Sequence, residues 1–187
     1  NLFRQSAWLN VTLNSPDRDS LMAANLDWAL RTLYPGVRAI VWAHDVHVSH
    51  GGDAARSFNA GAQMGAHLKH TYRHAYRALS LLTRAGSYSA TRSFNDHQII
   101  AARAWPAPEG SIEHLLASLP RPRSSVGLVV DLRVSEGDAD GGWLWTPRLI
   151  RHVGYAAYDY AFDLRAAMPL EFDGAVFIDT TTPSRVY

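Results

Sequence analysis

The chain has no cysteine among its 187 residues. That excludes a disulfide framework, a thiolate metal site and a thiol nucleophile. It fits a reducing compartment, and a cytoplasmic location is the expectation. An excess of charge of one sign is also missing: 18 Lys and Arg stand against 17 Asp and Glu, for a formal net charge of +1. With the two signs interspersed, neither nucleic acid nor an anionic membrane is an expected partner. No apolar run approaches the roughly 18 residues of a bilayer span. Residues 1–5 show neither the basic stretch nor the apolar core of a signal peptide. The sequence contains no P-loop, no G-x-G-x-x-G and no G-x-S-x-G elbow, so nucleotide binding and the common serine-hydrolase arrangement lack support. No cofactor motif is found.

What is present reads as one α/β domain over residues 1–187. The apolar fraction of 47% suits a globular core. Residues 18–33 carry Leu21, Met22, Leu26, Ala29 and Leu33 at a nearly helical period, behind Ser15-Pro16-Asp17 and ahead of Tyr34-Pro35-Gly36. Residues 37–43 are β-branched and almost continuously apolar, which predicts a strand covered on both faces. A second helix is expected over 60–74, a strand over 76–82 and a strand over 126–132. A short helix over 112–119 is capped by Ser111, with His114 at the position a Glu or Gln often fills. A last strand is expected over 175–179. Alternating helices and apolar strands predict a mostly parallel sheet flanked by helices. Residues 49–59 and 136–142 read as loops.

Ligands of open α/β sheets sit beyond the carboxyl ends of strands. His44 directly follows the strand predicted over 37–43, and His47 lies three residues on. Two imidazoles there can exchange protons near neutral pH or orient a substrate oxygen. The ordinary alternative is one buried, hydrogen-bonded histidine and one exposed. Asp45 either holds a ring or caps a turn. His44, His47 and His50, and then His67, His70 and His74, invite a metal reading. Between His70 and His74, however, stand Thr71, Tyr72 and Arg73 rather than the Glu of H-E-x-x-H, and Lys69 and Arg73 oppose a cation. No metal site is predicted, and a metal-dependent hydrolase stays an alternative. Asp131 and Arg133 alternate on one side of the third strand, as a structural ion pair or as part of a cleft. Asp19 suits the start of its helix, whereas Arg18 stands against the helix dipole and calls for another partner.

Several segments together resemble the erythromycin esterase family in order and spacing. These are Arg18-Asp19 with Met22-Ala23-Ala24-Asn25, Val41-Trp42-Ala43-His44-Asp45-Val46-His47-Val48, and Met64-Gly65. They continue through Pro108-Glu109-Gly110-Ser111-Ile112-Glu113, Val130-Asp131-Leu132-Arg133, Phe172-Asp173-Gly174-Ala175-Val176-Phe177-Ile178 and Thr182-Pro183-Ser184-Arg185. The resemblance implies an α/β fold with a deep cleft and water-mediated cleavage of an ester or macrolactone, as in members that inactivate macrolide antibiotics. It implies His44 and His47 as catalytic cleft residues, with Arg18, Asp131 and Arg133 binding substrate. The family's usual Ala-His-Asn-Gly-His reads here with Asp45-Val46 in the middle, which changes the charge beside the imidazoles. A Gly-Glu-x-x-His-Gly motif, bearing the family's general base, has no counterpart in this sequence. The expectation is therefore the C-terminal half of a larger hydrolase, completed by a further segment or by a homo-oligomer. A non-catalytic ligand-binding remnant is the alternative.

Overall fold

The computed structural model describes residues 18–51, 63–122, 125–151, 156–157, 162 and 164–184. Residues 15–17 of the expected cap, most of the loop over 49–59, residues 60–62 of the second helix and Arg185 lie outside them. Helix α1, Arg18–Trp28, opens with Asp19 in its first turn, where a carboxylate meets the positive end of the dipole. It widens into a π-helical turn, Ala29–Leu33, and stops before Gly36, whose φ of 79° few side chains tolerate. A single turn, α2 (Asp45–Val48), and a longer helix, α3 (Met64–Tyr72), follow. Arg73 then takes φ 51°, so α3 ends there and His70 and His74 do not continue along one helical face.

Strand β1 runs over Leu79–Thr91 and β2 over Ile99–Ala104, with α4 (Ile112–Ser118) next. As the sequence predicts, the Ser111 hydroxyl caps α4, accepting from the His114 backbone N–H at 3.2 Å. Strand β3 is Gly127–Asp131, β4 Arg148–Ile150 and β5 Leu164–Ala166; the turn α5 (Met168–Glu171) leads into β6 (Gly174–Thr181). The main sheet has the order β2-β1-β6-β3, and β4 pairs with β5 in a small second sheet. The α/β class holds. Among the described strands of this sheet parallel pairing does not dominate: β1 and β6 run parallel, while β1–β2 and β3–β6 are antiparallel. The antiparallel β1–β2 pair follows from the tight turn at residues 92–98, where the Ser93 hydroxyl accepts from the N–H groups of Asn95 and Asp96.

One face of the sheet carries the core. Leu82, Ala175 and Phe177 point into it and meet Ile112 and Leu116 of α4, with Leu132, Leu144, Ile150, Met168 and Phe172 completing the cluster. The strand expected over 37–43 is the main correction. That segment is extended but pairs with no strand among the described residues, and Ile40 and Trp42 are exposed. Its apolar composition reports a need for cover, and among the described residues nothing supplies it. No helix among the described residues is long and apolar enough to cross a membrane.

Helices α2 and α3 meet through Gly65, whose Cα lies against the carbonyls of Val48 and Ser49 with no room for a Cβ. Gly65→Ala is expected to push α2 away from α3 and to destabilise the fold by about 1–3 kcal/mol. Chemical denaturation of the variant checks this.

Candidate functional site

Three segments distant in sequence converge on His47. Asp19 in the first turn of α1 accepts from His47 Nδ1 through Oδ2 at 2.8 Å, and the same oxygen accepts from the Met64 backbone N–H at 3.0 Å. Arg18 Nη2 stands 2.8 Å from His47 Nε2. A carboxylate can only accept and a guanidinium can only donate, so the proton sits on Nδ1 and the Nε2 lone pair faces Arg18. Burial works to raise the Asp19 pKa, but the Met64 N–H, the His47 hydrogen bond and the charges of His47 and Arg18 together hold it below the usual carboxylate range. The sequence had called for a partner for Arg18, and here it lies between Asp19, 3.5 Å from its Nε, and His47.

His44 occupies the cap of α2. Its Nδ1 is 2.6 Å from Asp45 Oδ1 and 3.2 Å from the Val46 N–H, which itself donates to Asp45 Oδ1 at 2.8 Å. Nδ1 cannot donate and accept at once. The shorter contact requires a proton between ring and carboxylate, so Nδ1–H donates to Asp45 and the Val46 N–H is satisfied by the same acid.

A second layer lies beneath. Ser49 and Glu171 are both fully buried, and the Ser49 hydroxyl donates to Glu171 Oε2 in a very short hydrogen bond. The His50 N–H donates to the Glu171 carbonyl at 3.0 Å, tying the end of α2 to α5. Asp173 accepts from the Ala78 N–H at 3.0 Å, from Lys69 Nζ at 3.2 Å and from Arg77 Nη1 at 3.2 Å. Burial opposes its ionised form, yet the Ala78 N–H, the nearby His50 and Lys69 keep its pKa low. His50 Nε2 is 3.4 Å from Asp173 Oδ2, a close approach that is not a hydrogen bond. Burial, with the Lys69 charge, lowers the His50 pKa against the pull of Asp173. Tyr76 closes this layer, donating to the Val48 carbonyl at 2.5 Å. Its own pKa is pushed up by burial and by the Asp173 charge.

Asp131 and Arg133 are placed differently. They pair with each other at 2.6 Å on an exposed edge, where Arg133 holds the Asp131 pKa far down. No contact joins them to His44 or His47 among the described residues. A pocket of about 440 Å³ lies near the other end of β6, beside Arg121, Ser125, Val126, Asp179 and Thr180. Arg84 and Arg121 both donate to the single carboxylate of Asp179 there, and the pocket does not adjoin the histidines. Among the described residues, no three His, Asp or Glu side chains converge as metal ligands would. Sequence reasoning missed the roles of Ser49, Glu171 and Asp173. Only the Phe172-Asp173-Gly174 segment carried a signal.

Comparisons with known proteins follow the same lines. The erythromycin esterase family model matches residues 4–181. A curated relative from Bacillus subtilis (strain 168), the putative hydrolase YbfO, is 26% identical over 177 residues, which is 89% of this chain and 35% of YbfO. A Bacillus cereus protein of known structure superposes with a TM-score of 0.73 at 18% identity, over 96% of this chain and 43% of that one. A succinoglycan biosynthesis protein gives 0.69 at 20% identity, over 89% and 38%. An erythromycin esterase mutant, EreC in its open conformation, gives 0.55 at 16% identity, over 87% and 36%. At such identities the likeness to the solved structures is one of fold. The chain spans about a third of the length of the curated relative it matches.

Because the Asp19 pKa is depressed in the fold, its stabilisation is complete above the unfolded value near 3.8 and is lost as the pH falls through the folded value. Asp19→Asn is expected to cost about 1–3 kcal/mol at pH 7. The gap from the parent chain should close in acid, below about pH 4. Urea denaturation of both proteins at pH 7 and pH 3 measures it.

Proposed function

This chain belongs to the erythromycin esterase family, and we propose that it carries one wall of a hydrolase active site that cleaves an ester or macrolactone of a small molecule with water. The observation that carries the proposal is the line Asp19–His47–Arg18 at hydrogen-bond distances. A carboxylate behind one imidazole nitrogen and a proton-accepting nitrogen in front is the arrangement that acid–base chemistry uses.

The steps follow from the donor inventory. Water attacks the ester carbonyl carbon, and the carbonyl oxygen becomes an oxyanion. As the Arg18 N–H leaves the Nε2 lone pair, His47 takes up at Nε2 the proton that the attacking water gives up, relayed through the water-activating base that the family resemblance implies, and Asp19 stabilises the imidazolium through Nδ1. The new N–H and the Arg18 guanidinium, both donors, then repel each other. Arg18 turns toward the oxyanion, and His47 is set to return its proton to the departing alcohol oxygen. The carbon–oxygen bond breaks, and an acid and an alcohol leave. His44, fixed by Asp45, orients the substrate oxygen beside His47. Arg18 is the substrate-binding cation of this reading. Asp131 and Arg133 stand as more distant contacts for the outer part of a substrate. The family resemblance implies a water-activating base on a motif that these 187 residues do not contain, so turnover belongs to the complete active site.

Asp45 gives this member its own character. Where the usual family segment has an amide, a carboxylate 2.6 Å from His44 Nδ1 adds negative charge. That favours a neutral or cationic acyl group over an anionic one. Macrolides fit this requirement, and so do simpler lactones.

The test uses the gene product made from its own locus, assayed against erythromycin-type macrolides, small lactones and p-nitrophenyl esters. His47→Ala is expected to lower turnover by about 100-fold or more, with circular dichroism unchanged. Undiminished turnover in that variant removes the reading. Calorimetric binding of a macrolide without product formation from the parent protein would support the binding-remnant alternative instead.

A further inference from the structure

Ligands of parallel strands sit beyond the carboxyl ends of those strands. The histidine turn lies at the opposite, leading ends of β1 and β6, which leaves their carboxyl ends as a separate place. Arg84 and Asp179 are neighbours there, because the register sets Thr83 beside Ile178 and Ala85 beside Thr180. Asp179 stands two residues beyond Phe177, so its side chain leaves the sheet on the core side, where α4 packs. The chain leaving α4 returns across this end, and the Asp179 N–H donates to the Val126 carbonyl at 3.0 Å. Between the returning segment and β6 lies the pocket of about 440 Å³, a volume that suits a small molecule.

The charges in this pocket do not balance. Arg84 donates to both oxygens of Asp179, through Nε at 2.9 Å and through Nη2 at 3.1 Å. Arg121 Nη2 donates to Oδ1 as well, at 2.9 Å. One carboxylate thus answers two guanidiniums, and among the described residues no other acid lines the pocket. Arg121 makes no further hydrogen bond there, and its Nη1 is shielded from solvent without an acceptor. Buried donors are almost always paired, so an unused one marks a place for an acceptor. The guanidinium is also held in position, with its carbon 5.7 Å from the centre of the buried Phe177 ring. Ser125 and Thr180 add hydroxyls to the lining, and Pro122 and Val126 give it an apolar side.

We propose that this pocket binds a small organic acid, with its carboxylate on Arg121 and its apolar part against Pro122 and Val126. The charge excess selects the class. A single negative charge neutralises the site, whereas a phosphate dianion overshoots and meets Asp179 as a like charge. A guanidinium fork also matches the planar carboxylate. The site shares no residue with the histidine turn, so the proposal stands or falls separately from the catalytic reading.

The probe is para-fluorobenzoate, followed by fluorine NMR with the gene product made from its own locus. A Kd of about 1 mM or tighter is expected for so small a ligand. The neutral para-fluorobenzamide, nearly the same in shape, is expected not to bind. Arg121→Gln is expected to weaken binding about 10-fold or more, while Arg18→Gln at the histidine site leaves it unchanged. Asp179→Asn removes the competing acceptor and is expected to tighten binding, a gain that a merely structural role would not produce. No binding, equal binding of the amide, or loss of binding in Arg18→Gln overturns the proposal. Displacement of the probe by inorganic phosphate at lower concentration than by benzoate overturns the assigned class. If Arg121→Gln fails to accumulate, Asp179→Asn decides, and unchanged or weaker binding in that variant overturns the proposal.

Discussion

One carboxylate oxygen of Asp19 accepts from two donors on different segments, the His47 ring and the Met64 backbone, and the geometry of the site depends on it. Helix α1 thereby holds α2 and the start of α3 together, although 28 and 45 residues separate the partners. The carboxylate is nearly buried, where an unpaired charge would be costly, and its donors offset that cost. Removing any one of them leaves a desolvated group behind. The same bond that fixes the His47 tautomer therefore also fixes the packing of three helices.

The layer beneath shows why α2 needs this much support. A single helical turn has almost no stability of its own, because nucleation fixes several dihedrals for one hydrogen bond. It persists here because its two ends are tied to rigid neighbours. Gly65 lets α3 approach the Val48 and Ser49 carbonyls, and Tyr76 donates to Val48 from the start of β1. On the far side, Ser49 and His50 reach Glu171 in α5, immediately before β6. Both His44 and His47 are thus mounted on a turn clamped between helices and the leading ends of the two parallel strands.

What the sequence could show of this depended on range. The Ser111 cap of α4, the helix over Arg18–Trp28 and strands β3 and β6 are local patterns, and they were legible; of β1, which runs over Leu79–Thr91, only the first residues fell within the strand expected over 76–82. Strand β2 was not, since Ile-Ile-Ala-Ala-Arg-Ala has no alternation. The polar turn Ser93-Phe94-Asn95-Asp96 before it was the available signal. Residues 37–43 were legible as apolar and extended, but not as lacking a strand partner among the described residues, because composition says that a segment wants cover and not where the cover comes from. In the site, His44 and His47 stood out by spacing and Arg18 by its position against the dipole. Asp19 was visible as a dipole match, but its bond to His47 is a tertiary fact. Ser49 and Glu171, 122 residues apart, leave no joint mark in a single sequence.

The clamped turn and the bare sheet face pull in different directions, and that contrast bears on how the protein works. Positioning side chains for proton transfer demands rigidity of a few tenths of an ångström. Rigidity of that kind comes from a sheet packed on both faces, since dense interiors are hardly compressible. Here β1 and β6 anchor the histidine turn at their leading ends, yet Leu79 and Leu81, in that same stretch of β1, have no cover among the described residues. Covering that face would stiffen the platform on which Ala78 and Asp173 sit. Through Asp173 and Tyr76, the effect would reach α2 and its histidines. Packing on the far side of the sheet and chemistry at its end are then one physical problem, joined by the short chain of contacts from β1 through Tyr76 to Val48.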